Sequence, residues 1–466
     1  MYVTTTIPYV NARPHLGHAL ELVQADVLAR HHRRRGEPVR FQTGTDDNSL
    51  KNVLAAEAEG VPVRELVDRN AAAFEALRGP LDVSFDSFIR TSAHPAHRAG
   101  VEEIWRATEH DLYRRHYEGL YCVGCEQFYQ EGPCPDGHAE PLQKVSEQNW
   151  FFRLSRYQDA LLDLITSGRL RIEPAARRNE VLAFVSAGLA DISVSRSAAR
   201  ARGWGIPVPG DPGQVIYVWW DALANYVTAL DEPGAYERWW VHEKDKVHIV
   251  GKGVIRFHAV YWPAMLLSAG RPLPTAIFVH DYITAGGRKI SKSAGNGADP
   301  VALVEAYGTD AVRWWLLREV PRVGDADFTE ERLRARADED LANGLGNLVS
   351  RVATMVHRFL DGHVPPQDEP LVEVSVDEAL ADFDFRRAAL EVWRIVEEAN
   401  RYVESARPWA QPRAAQEVSL GRLVGACREL AVQLEPFLPT AARRVAAAVG
   451  GDRLAKPRPL FPRRGV

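Results

Sequence analysis

Four cysteines in 466 residues, no excess of positive charge and no long apolar run set the first limits on this chain. So little cysteine excludes a secreted disulfide scaffold. A formal net charge of −5 excludes a protein coated in positive charge for indiscriminate nucleic-acid binding, although a local basic face can still hold a polyanion. No stretch approaches the roughly 20 apolar residues that cross a bilayer. The opening MYVTTTIPYV has no basic n-region and no apolar core of a secretory leader. A cytoplasmic chain with no membrane partner is therefore expected. No internal repeat and no low-complexity segment is visible. What is present is ordinary globular composition, 46% hydrophobic and 26% charged, with enough length for about two to four domains.

The stretch from Thr4 to His18, TTTIPYVNARPHLGH, reads as a strand feeding a helix N-terminus. The first turn of a helix has backbone N–H groups without internal partners and the positive end of the dipole, so it favours an anion such as phosphate. His15 and His18 add donors on that turn, and Gly17 permits close approach of a flat group. The bland alternative is a pair of surface histidines. Ala19 to Arg35 has helical periodicity ending at Gly36, and Pro38 to Thr45 reads as a second strand. Strand, helix, strand implies a parallel unit whose ligands lie beyond the carboxyl ends of its strands. Asp46, just past the second strand, would then suit a substrate ammonium; its bland alternative is a cap on the next helix.

Residues from about 52 to 117 read as helical, including Leu54 to Gly60 and Ala96 to Arg114. The texture then changes at YCVGCEQFYQEGPCPDGH, where Cys122, Cys125, Cys134 and His138 have spacings suited to tetrahedral zinc with every position filled. Such a site is structural, and free thiols are the alternative. Val215 to Leu230 begins as a strand and turns helical, with Trp219, Ala222, Leu223 and Tyr226 on one face. An aromatic stripe of that kind is ordinary core or the wall of an apolar pocket. Val247 to Val250 and Ala276 to Ile283 are buried-strand candidates. After the second, Gly286-Gly287 makes a reversal and Lys289-Ile290-Ser291-Lys292-Ser293 forms a doubly cationic loop able to close over a polyphosphate; in isolation such a run is most often a solvated surface loop.

Beyond Pro321 the periodicity is helical almost throughout. Leu341, Leu345, Leu348, Val352, Val356 and Phe359 mark one long amphipathic helix, and helical segments follow at Ala379 to Arg407 and Leu420 to Val449. Cys427 falls in the last and is expected in the core. Asn347 and Arg351 lie one turn apart off the buried stripe, and Trp409 follows a helix end, where an indole can stack on a base.

The pair HLGH (His15 to His18) and KISKS (Lys289 to Ser293), in this order with βα units between, resembles the double signature of class I aminoacyl-tRNA synthetases. The knuckle, the runs FFRLSRYQDALL, YVWWDALANYVTAL and RFHAVYWPAMLLSAG, and the motif GLGNLVSR resemble the methionyl family over essentially the whole chain. The resemblance implies an α/β fold: a Rossmann-type catalytic domain (1–115 and 181–325) split by a zinc-knuckle connective insertion (116–180), then an all-α anticodon-binding-like bundle (326–466). It implies a ligase that uses ATP and Mg2+ to activate methionine and passes it to the terminal adenosine of tRNA, with structural Zn2+.

By matching positions, His15, Gly17, His18, Gly251, Lys289, Ser291 and Lys292 would serve ATP, and His15, His18, Lys289, Lys292 and Arg196 would carry the activation step. Ile7, Tyr9, Asp46, Trp219, Ala222, Leu223, Tyr226 and His280 would hold the amino acid. Asn347, Arg351 and Trp409 would read the anticodon. RNA, not DNA, is the implied nucleic acid, and with no appended module after Val466 the expected state is a monomer. Two departures stand out. The family pattern Asp-x-His-Gly reads Asp46-Asp47-Asn48-Ser49 here, and Gly-Lys-Asp reads Gly251-Lys252-Gly253. The departures leave a second acceptor open, a small molecule in place of tRNA. A non-catalytic RNA-binding relic is the third reading, one that would give His15, His18, Lys289 and Lys292 no reason to survive.

Overall fold

The computed structural model describes residues 1–122, 127–129, 134, 142–290, 298–366, 370–454 and 456–461. The chain forms two compact units. One comprises Met1–Pro14, Glu37–Ala76 and Phe85–His280; the other comprises His15–Gly36, Leu77–Ser84 and Asp281–Val466.

The first unit is built on a six-stranded parallel sheet. Its spatial order is Ser87–Arg90, Arg40–Thr45, Tyr2–Thr5, Lys246–Gly251, Ala276–His280 and Arg171–Glu173. The central strands are buried along their length, as continuous β-branched and apolar runs require when both faces are covered. Gly44 is needed for the pairing of Arg40–Thr45 with Ser87–Arg90, because a Cβ there would lie 2.2 Å from the Ile89 carbonyl oxygen. A second, antiparallel sheet pairs Leu112–Cys122 with Gln143–Phe152, flanked by Gln127–Tyr129 and Ile192–Ser193.

Part of the helical expectation for residues 52 to 117 is corrected. Leu50–Glu59, Val63–Glu75 and His97–Ala107 are helices, whereas Ser87–Arg90 and Leu112–Cys122 are strands. The helix expected to reach Arg114 stops at Ala107 because the Thr108 hydroxyl turns back to the carbonyls of Ile104 and Trp105, both at 3.0 Å. The aromatic and charged residues beyond it then find a strand partner.

The second unit holds the Leu16–Arg34 helix, a small sheet of Ile283–Ala285, Arg288–Lys289 and Ala326–Asp327, and the C-terminal helices. The stripe Leu341, Leu345, Leu348, Val352 and Val356 is buried as expected, but the last position passes from Phe359 to Leu360. Phe359 and Leu360 both lie one turn past Val356 in the α-helical Asn347–Leu360, and Leu360 is the one on the buried side; Ala337–Gly346, ahead of it, is wound as a π-helix. The segment 379–407 is broken at Phe383, φ +53°, between Val376–Ala381 and Phe385–Ala406. The segment 420–449 divides into Arg413–Leu434 and Pro439–Val449 across Pro436 and Pro439, which have no N–H to donate. Cys427 is fully buried, which pushes its thiol up to about 12. Among the described residues no helix is long and apolar enough to cross a membrane.

A fully buried polar contact of this unit is the ion pair between Asp26 and Arg313, both 0% exposed, with Nη1 and Oδ2 2.8 Å apart. Asp26 also accepts from Arg30 Nε at 2.8 Å and from the Ser84 N–H and hydroxyl at 2.7 and 2.6 Å. The guanidinium of Arg313 donates to the carbonyls of Leu81, Pro436 and Phe437 at 3.0, 3.0 and 2.7 Å. Removing one partner of a buried pair costs about 3–5 kcal/mol. Arg313→Leu is therefore expected to lower unfolding stability by that order in urea titration; a loss below about 1 kcal/mol would mean that the three carbonyls and Asp26 repartner.

Candidate active site

The carboxyl edge of the parallel sheet collects Ile7, Tyr9, Asp46 and His280 of the amino-acid-site candidates. Past Tyr2–Thr5 the chain runs through Ile7 and Tyr9, and Tyr9 forms an isolated parallel bridge with Asp46 at the end of the neighbouring strand. The Asp46 N–H donates to the Pro8 carbonyl at 2.9 Å. On the next strands Gly251 stands in register with His280, and a Cβ on Gly251 would sit 3.4 Å from the His280 ring. Lys252 and Gly253 open a short 3₁₀ turn directly after the strand.

Asp46 does not cap the following helix. Ser49 does, accepting from the Lys51 N–H at 3.1 Å, while Asp46 Oδ1 accepts from the Asn48 N–H at 3.1 Å. The turn between them is anchored by Asp47. Its Oδ1 accepts from the Thr45 hydroxyl at 2.8 Å, and its Oδ2 accepts from the Ser92 hydroxyl at 2.8 Å and from Arg90 Nε at 3.2 Å. Burial pushes the Asp47 carboxyl up, against the Arg90 guanidinium and the hydroxyls that pull it down.

The aromatic stripe divides into a partly exposed residue and buried core. Trp219 is partly exposed, lies 6.0 Å from the Tyr9 ring and stacks on Phe257 at 3.7 Å between centroids. Ile7 and Ala222 share a small apolar cluster with Ile89 and Ala229. Leu223 and Tyr226 are buried in the main core. The Tyr226 hydroxyl is 2.7 Å from His258 Nε2. Because His258 Nδ1 lies 2.9 Å from the Val254 carbonyl, which can only accept, Nδ1 carries the proton and Nε2 receives the tyrosine's. Behind Tyr226, burial holds the His248 imidazole far below its usual range, so it is neutral. Phe257, His258 and Asp221 escaped the sequence reading, and Asn48 entered it only as a departure from the family pattern; Asp221 stands inside the block WWDA, which was the available signal.

Arg196 lies on Ser195–Ser197, almost fully buried, with Nη1 2.5 Å from the Tyr121 hydroxyl. Arg200 covers the same tyrosine ring at 4.0 Å. Of the four expected zinc ligands, Cys122 and Cys134 are buried, and Cys125 and His138 lie outside the described residues. The two buried thiols are soft donors compatible with zinc; among the described residues alone no cluster of three ligands forms.

In the second unit His15 is the N-cap of Leu16–Arg34 and His18 is its third residue. His15 Nδ1 accepts from the Gly17 N–H, and His18 Nδ1 accepts from the His15 N–H, both at 3.1 Å. The rings stack at 3.8 Å. With both Nδ1 atoms accepting, each neutral ring carries its proton on Nε2. Gly17 serves this arrangement, since a Cβ would lie 2.9 Å from His15 Cε1. Lys289 ends a hairpin strand behind Gly286 and Gly287, whose φ angles are +60° and +72°. Asp327 holds that reversal, accepting from the Gly287 N–H at 2.8 Å. Ser291 and Lys292 lie outside the described residues. Farther along, Asn347 is exposed, Arg351 pairs with Glu404 at 2.7 Å, and Trp409 is 41% exposed.

In the first unit the parallel sheet gathers ligand-type residues at its carboxyl edge, and in the second a histidine caps Leu16–Arg34. The family described as tRNA synthetases class I (M) matches residues 1–145 and 137–353, and the anticodon binding domain of methionyl tRNA ligase matches residues 372–460. A methionine–tRNA ligase of Brucella suis is 39% identical over 507 aligned residues, covering 99% of this chain and 97% of that protein. One from Mycobacterium bovis is 40% identical over 512, with the same coverage. The crystal structure of Mycobacterium tuberculosis methionyl-tRNA synthetase bound by methionyl-adenylate superposes with a TM-score of 0.91 at 38% identity, covering 99% of both chains. The chain belongs to the methionyl-tRNA synthetase family.

The cap at Ser49 stands where the family pattern has glycine. Ser49→Ala should cost about 1 kcal/mol of stability in urea unfolding and Ser49→Gly only a few tenths; equal losses would show that the hydroxyl is not the capping group.

Proposed function

We propose that the chain activates methionine with ATP and transfers it to the 3′-terminal adenosine of tRNA. The observation that carries this reading is that similarity to methionine–tRNA ligases runs through 99% of the chain, from the sheet-bearing half through the anticodon-type half. The methionine carboxylate attacks the α-phosphorus, pyrophosphate leaves, and the tRNA hydroxyl then displaces AMP. Such chemistry needs alignment and charge stabilisation and no covalent nucleophile.

In this reading His15 and His18 direct their Nε2–H groups to the phosphates, beside the helix N-terminus and Gly17. Lys289 and Lys292 neutralise the departing pyrophosphate, Ser291 donates a hydrogen bond to it, and Arg196 supports activation. Gly251 lies against the nucleotide. Asp46 receives the substrate ammonium, and Ile7, Tyr9, Trp219, Ala222, Leu223, Tyr226 and His280 enclose the side chain. Asn347, Arg351 and Trp409 read the anticodon. ATP enters with Mg2+, and Cys122, Cys125, Cys134 and His138 would hold a structural Zn2+ that ties the connective insertion together. The domain division is the one read from the sequence, and the protein works as a cytoplasmic monomer on RNA, not DNA.

Methionine-dependent ATP–pyrophosphate exchange together with charging of methionine tRNA tests the whole reading. Exchange without charging would move the acceptor to a small molecule; no exchange with methionine would end the assignment. Elemental analysis is expected to find about one zinc per chain, and a metal-free, fully active sample would count against the knuckle. The residue after Gly251-Lys252 is glycine where the family pattern has an aspartate able to hold ribose hydroxyls. Gly253→Asp should lower the KM for ATP about tenfold, as a gained charge-assisted hydrogen bond would. An unchanged KM would mean that the ribose is held by other groups.

A further inference from the structure

Asn48 joins the Asp46 turn to the pocket helix through a buried carboxylate. Its backbone N–H donates to Asp46 Oδ1 at 3.1 Å, and its side-chain Nδ2 donates to Asp221 Oδ2 at 2.7 Å. A carboxylate only accepts, so the amide must present its nitrogen. Asp221 is 1% exposed and sits on the Val218–Leu223 helix between Trp219 and Ala222.

The second oxygen of Asp221 accepts from Nε2–H of His97 at 2.6 Å, and His97 is fully buried. With that proton on Nε2, the Thr228 hydroxyl at 2.7 Å donates to Nδ1. The His97–Ala107 helix comes close enough for these contacts because residue 100 is glycine; a Cβ there would lie 2.4 Å from Thr228 Cγ2. A buried carboxylate is expensive unless its lone pairs are filled, and here each oxygen has a donor. The two donors and the carboxylate come from three segments far apart in sequence, so their joint product is a fixed distance between the Asp46 turn and the Val218–Leu223 helix.

We infer that Asn48, Asp221 and His97 are positioning residues that lock the Asp46 turn against the pocket helix, so that the substrate ammonium and side chain are held in one register. This rests on the reading of Asp46 and methionine given above. Asn48 is then a like-for-like exchange for the histidine of the family pattern, since both offer an N–H to Asp221.

The test compares the methionine KM in pyrophosphate exchange with inhibition by methioninol and by its des-amino counterpart. Asn48→Leu should raise the methionine KM and the methioninol Ki about tenfold, the scale of one buried hydrogen bond. It should leave the des-amino Ki and the ATP KM within about twofold, while Asn48→His stays within about threefold of the original for methionine. Thr228→Val, at the far end of the chain of contacts, should give a smaller shift with the same selectivity for the amine and serves if Asn48→Leu does not fold. Equal loss of both inhibitors would make the network ordinary pocket support, and no shift in either would leave it idle; each result overturns the inference. If the unaltered protein shows no methionine-dependent exchange, the functional reading fails first and the inference with it.

Discussion

The buried pair of Asp26 and Arg313 is the contact on which the second unit depends. Two opposite charges are taken out of water together; Asp26 spends its remaining hydrogen-bonding capacity on Arg30 and Ser84, and Arg313 on three backbone carbonyls. The result joins the helix that begins at His15, the segment around Leu81 to Ser84, the Thr309–Arg318 helix and the turn at Pro436-Phe437. No apolar contact specifies partners this narrowly, because a guanidinium has five donors in a fixed fork and its acceptors must lie in that plane. The pair contributes specificity more than net stability, since desolvation offsets much of the attraction.

The first unit reaches its order by a different route. Its sheet is held by continuous backbone pairing of buried strands, and its polar residues concentrate at the carboxyl edge where strands end and backbone becomes available. Asp46, Asp47, His280 and the Gly251 turn all belong to that edge. One acidic residue is kept for structure: Asp47 is surrounded by three donors. Its neighbour Asp46 is fixed by the turn and by the bridge to Tyr9, which leaves its role to be defined by the substrate.

Both histidines of the signature cap their own helix with Nδ1. This accounts for the spacing: His15 must precede the first turn and His18 must be its third residue for the two hydrogen bonds to close. The same two bonds assign the tautomer, so capping uses Nδ1 and the proton of each neutral ring sits on Nε2. Gly17 belongs to this geometry through the His15 ring, a reason visible only once the rings are placed.

Sequence alone determined the parallel unit, the family resemblance, the helical character of the C-terminal part and most of the residues at the sheet edge. These are local or motif properties: hydrophobic period, a glycine after a helix, a signature with fixed spacing. It misread 108–117 as helix because the pairing partner of Leu112–Cys122 lies beyond the knuckle, and a strand is stabilised by a neighbour that local pattern does not contain. Its alternative for Asp46, a cap on the next helix, gives way to Ser49, and it did not show that the Tyr226 hydroxyl meets His258. Only the tertiary structure decided which of Trp219 and Trp220 faces outward, and only it brought Asn48, His97 and Asp221 together. Those residues are distant in sequence, and their meeting depends on a helix approach that a single glycine permits.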